Sequence, residues 1–100
     1  MSGSARRFGD LRRLLTDAGS VVADSSYSPE SFGSWWILLR GQTSHRLVWD
    51  GKDQWLILQR QAGPSDLGES MWEDLWVKKD ARQSTNEDLV QLIRESVGED

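Results

Sequence analysis

The chain contains no cysteine, which excludes a disulfide framework, a thiolate-held metal, an iron–sulfur cluster and a cysteine nucleophile. Its single histidine, His45, leaves too few imidazoles for the common histidine-rich zinc sites. There are only two prolines and no low-complexity tract or repeat, so nothing marks a linker between separate units. The longest apolar run is Trp35–Leu39, far short of the ~20 residues a membrane-spanning helix needs. The basic opening, Met1-Ser-Gly-Ser-Ala-Arg-Arg7, has no apolar stretch behind it, so a secretory leader is not expected. Neither a phosphate-binding loop nor a dinucleotide fingerprint occurs, and no cofactor or metal is expected. These absences leave a cytoplasmic protein with one domain spanning 1–100.

What the chain does have is charge and tryptophan: 28% charged residues, six tryptophans and a net charge of −4. Residues 1–50 carry six basic and five acidic side chains, whereas residues 51–100 carry six and eleven. Asp66, Glu69, Glu73 and Asp74 fall in one short stretch that contains no base. Such a surface repels phosphate backbones, so nucleic acid is not an expected partner. It would speed encounter with a basic protein, or simply keep a small domain soluble.

Phe8, Leu11, Leu14, Leu15 and Ala18 recur at helical spacing, with Gly19 suited to a left-handed terminator, which predicts a helix over about 5–18. Alternation and β-prone composition predict strands over about 20–28, 34–40, 46–50 and 54–60, separated by turns at 29–33, 41–44 and 51–53. Glycine and proline mark 61–70 as a loop. Met71–Val77 fits either a helical turn or a strand, and its aromatic content favours a short strand. Ser84-Thr-Asn-Glu87 has capping-box form, and Leu89, Leu92, Ile93 and Val97 then recur at helical spacing up to Gly98, predicting a helix over about 85–97. The fold class expected is α+β: an N-terminal helix, an antiparallel meander of three to five strands, and a C-terminal helix packed on one sheet face.

This architecture leaves an apolar surplus. Alternate residues of a strand face opposite ways, and here both sets are apolar. Trp35, Ile37, Leu39, Leu47, Trp49, Trp55 and Ile57 form one set; Trp36, Leu38, Val48, Leu56 and Leu58 form the other. Two short helices cover one face, so part of the second needs the N-terminal segment, the 61–76 segment, a second copy or a foreign partner to cover it. Tryptophan is enriched at binding hot spots because it buries much area with few rotamers, making Trp36 and Trp72 candidate anchors.

No pattern selects a catalytic group. His45 is expected in a hairpin loop, solvated, with no carboxylate at motif spacing to orient it. Asp50 and Asp53 flank a turn and lack the further ligands of a calcium loop. Glu69, Glu73 and Asp74 fit a solvated acidic face as readily as a glycosidase pair. A non-enzymatic protein is expected.

The segments Ser26-Tyr-Ser-Pro-Glu-Ser-Phe-Gly-Ser-Trp-Trp-Ile-Leu-Leu-Arg40, Arg46-Leu-Val-Trp-Asp-Gly-Lys-Asp-Gln-Trp-Leu-Ile-Leu-Gln59 and Trp72-Glu-Asp-Leu-Trp76 resemble compact bacterial immunity proteins of polymorphic toxin and contact-dependent inhibition systems. The resemblance covers roughly residues 26–76 and has no diagnostic motif. It implies a cytoplasmic protein that binds and neutralises a cognate toxin domain, often a basic nuclease. On that reading Asp66, Glu69, Glu73 and Asp74 steer the encounter, and Trp36 and Trp72 anchor it. The other reading is a small acidic adaptor or secretion-chaperone-like homodimer, so both monomer and homodimer stay open.

Overall fold

The computed structural model describes residues 3–64 and 70–97. The first helix, α1 (Gly3–Asp17), turns Leu11 and Leu15 fully inward, with Phe8 packed beside them. It ends in a paired-hydrogen-bond cap. Gly19 adopts φ +99°, its N–H donates to the Thr16 carbonyl (3.0 Å), and the Ser20 N–H donates to the Leu15 carbonyl (2.9 Å). This left-handed terminator satisfies carbonyls that the helix leaves open, as the glycine predicts.

Five strands follow in a meander: β1 (Val21–Ser28), β2 (Ser34–Arg40), β3 (His45–Asp50), β4 (Trp55–Pro64) and β5 (Ser70–Lys78). Every neighbour is antiparallel, and the spatial order is the chain order. A second helix, α2 (Asn86–Val97), closes the fold and buries Leu89 and Ile93. The α+β arrangement is the one expected, with all five strands formed.

Four local expectations need correction. The stretch 61–70 is not all loop: β4 continues to Pro64 and β5 begins at Ser70, because the Gln61 N–H still finds a sheet-side acceptor, the Ser44 carbonyl (2.9 Å). The cap of α2 is Thr85 rather than Ser84; its Oγ1 accepts from the Asp88 N–H (3.1 Å), and its carbonyl accepts from Leu89 (3.1 Å). His45 is the first residue of β3 and only 4% exposed, not a solvated loop residue. Finally, the two apolar sets exchange members across the β3–β4 turn. Register pairs Trp49 with Leu56 and Leu47 with Leu58, so Leu56 and Leu58 join the Trp35 face, while Trp55 and Ile57 join the Trp36 face. The four-residue turn Gly51–Gln54, with Gln54 at φ +61°, sets that register.

The inner face therefore carries Trp35, Ile37, Leu39, Leu47, Trp49, Leu56 and Leu58, packed in one buried cluster with Leu11 and Leu15 of α1 and Leu89 and Ile93 of α2. Phe8 stacks on Tyr27 and lies tilted against Trp35, and Trp35 stacks on Trp49 (6.1 Å). Long-range polar ties join the ends of the chain. The Arg7 guanidinium donates to the carbonyls of Ala81 and Ser84 (both 2.6 Å), and Asn86 donates to Asp10 (3.3 Å). Burial pulls the Arg7 pKa below its ordinary value, the desolvation cost of that tie.

β5 carries a bulge that explains its ambiguous sequence. Leu58 pairs with Trp76 and Gln59 with Asp74, leaving Leu75 as the extra residue. The bulge reverses the alternation. Trp76 turns inward, where its indole N–H donates to Ser96 Oγ of α2 (2.9 Å), whereas Trp72 lies on the outer side.

Candidate interaction surface

The outer face of the sheet is built in two adjacent cross-strand rows. One row reads Ser26, Trp36, Val48, Ile57 and Val77 from β1 to β5. The next reads Asp24, Leu38, Arg46, Gln59 and Asp74. Both helices pack on the inner side, and among the described residues the outer face is covered by its own neighbours alone. Trp36, Leu38, Val48 and Ile57 are half-buried in this lateral packing, and Val77 is 39% exposed at the edge strand.

The polar row is already internally paired. Arg46 Nε donates to Gln59 Oε1 (2.8 Å), and Gln59 Nε2 donates to Asp74 Oδ1 (2.9 Å). The Arg46 guanidinium also stacks over the Trp72 ring, 4.5 Å from its centroid, and Lys79 Nζ sits 4.8 Å from the Trp55 ring. Desolvation lowers the Arg46 pKa from its ordinary value, and the charge of Asp74 acts against that shift. A partner laid across this face would desolvate groups that already hold one another, which keeps the polar cost of covering it small.

Of the residues singled out from sequence, Trp36, Trp72 and Asp74 come together on this face. Glu73 does not: it sits on the opposite side of β5 and forms an ion pair with Arg60. Asp66 and Glu69 lie outside the described residues. Sequence reasoning missed the contribution of Ile57 and Val77, which only the register and the β5 bulge reveal. It also missed Arg46, whose position opposite Gln59 follows from the same register.

His45 and Asp50 are both engaged in local hydrogen bonds. The His45 Nδ1 lies 3.1 Å from the Thr43 carbonyl; a carbonyl only accepts, so Nδ1 carries the proton. The Asp50 carboxylate accepts from the N–H groups of Lys52 (3.0 Å) and Asp53 (3.2 Å), which makes it a turn-forming group. Among the described residues no cluster of three or more His, Asp or Glu side chains is placed to hold a metal, and no helix is long and apolar enough to cross a membrane. Comparison with protein-family models, curated proteins and solved structures finds no match.

Proposed function

We propose that this chain is a non-enzymatic protein-binding module, an immunity-type inhibitor that neutralises a cognate basic toxin domain in the cytoplasm by direct binding. The observation that supports it is the uncovered sheet face, where Trp36, Val48 and Ile57 form an apolar row beside the pre-paired Arg46–Gln59–Asp74 row. Trp36 and Trp72 supply the large, stiff contact area that dominates binding energy at interfaces. Asp66, Glu69, Glu73 and Asp74 supply long-range attraction for a basic partner.

The test uses a toxin domain encoded beside this gene. Replacing Trp36 with aspartate abolishes binding and protection from the toxin. Replacing the four acids with their amides slows association about tenfold at low salt and flattens its salt dependence. An on-rate unchanged at low ionic strength removes the steering part; full protection by the W36D chain removes the sheet face.

A homodimeric adaptor is the second reading, favoured by the charge balance of the same face. Asp24 and Asp74 there are matched by Arg46 and Lys79, so two copies can meet without the repulsion their overall charge imposes. Sedimentation separates the two: a monomer without partner supports the inhibitor, and a tight dimer lost in W36D supports the adaptor.

A further inference from the structure

The helical side of the molecule carries a second surface, of different character. α1 and α2 run side by side in the same direction, with Asp10 meeting Asn86 near the start of α2 and Ala18 facing the Arg94 end. Between them lies an open groove of about 760 Å³. Leu14, Ala18 and Val90 form its half-buried apolar floor. Among the described residues the exposed rim holds three carboxylates, Asp17 on α1 and Glu87 and Glu95 on α2, against one cation, Arg94.

We propose that this groove docks a basic amphipathic helix of a partner protein. The floor requires an apolar stripe, and a trough between two helices accepts a third by ridge-and-groove packing. An extended segment would lay unpaired backbone N–H and C=O groups on that floor, whereas a helix satisfies its own. The rim requires Lys or Arg on the flanks of the stripe. Glu87 and Glu95 are separated by eight residues, about 12 Å along the axis, so the matching cations stand two turns apart, at i and i+7 or i+8. The groove is on the opposite side of the molecule from the open sheet face, so each surface is testable while the other is intact.

The probe is a synthetic Leu/Lys amphipathic helix of about 15 residues, roughly 22 Å long. Its mirror-charge control is the Leu/Glu peptide of the same pattern. Titrated into the full chain, the basic peptide shifts the amide resonances of Leu14, Ala18, Val90 and Gln91, and the acidic peptide shifts none. The surface variant D17N/E87Q/E95Q weakens binding about tenfold at low salt and removes most of its salt dependence. The single reversal E87K, also at an exposed position, gives a smaller loss in the same direction. The W36D chain binds the peptide as the parent does. Shifts confined to the outer sheet face, equal binding of the acidic peptide, or unchanged affinity in the triple variant would each overturn the assignment.

Discussion

Gly51 sits where the backbone leaves no room for a side chain. Its N–H donates to Ser34 Oγ (2.9 Å), and a β-carbon there would run into the Phe32 carbonyl and crowd the Ser34 nitrogen. The obstacle is backbone, held by Phe32 at φ +60° and Gly33 at φ +74°, so it has little freedom to move aside. Gly51→Ala is expected to cost about 2 kcal/mol or more and to lower the melting temperature by roughly 10 °C, read by thermal unfolding. In sequence this glycine was legible only as part of a hairpin turn, because what it touches lies in the β1–β2 connection at the same end of the sheet. His45 teaches the same lesson in reverse. Moving the start of β3 by a single position turns a solvated loop imidazole into one buried at the sheet's inner side, and local composition does not fix a boundary that finely.

The elements themselves were largely written in the pattern. β2 runs from Ser34 to Arg40 as its β-prone block predicts, and α1 stops where Gly19 allows. What local pattern could not show was the bulge in β5. Trp72, Leu75 and Trp76 have helical spacing in sequence, yet the extra residue Leu75 sends the two indoles to opposite faces of the sheet. At the start of α2, Ser84 and Thr85 both fit a cap, and hydrogen bonding chooses Thr85. Thr85→Ala should therefore cost about 1 kcal/mol, and Ser84→Ala only a few tenths. Chemical denaturation of the two variants side by side checks this: equal losses would contradict the cap.

At the scale of the whole molecule, the sheet has an inside and an outside that one strand displays residue by residue. Ile37 is fully buried under the helices, while its neighbour Leu38 is half-buried on the uncovered face. Ile37→Ala is expected to destabilise by about 2–5 kcal/mol, and Leu38→Ala by less than half as much. Denaturant midpoints of the two variants test the assignment, and a larger loss for Leu38 would mean that its face is covered in the isolated protein. The existence of surplus apolar residues was readable from composition and alternation. Which of them faced outward was not, because that depends on how each turn sets the register of the next strand. The two helices that roof the inner face are the first and last elements, and Arg7 waits 74 positions for the Ala81 carbonyl. As the chain leaves the ribosome, α1 emerges before the sheet and finds its companion only after every strand has followed. A translation stall just beyond β5 would leave a nascent chain with half its roof missing and part of the inner face open.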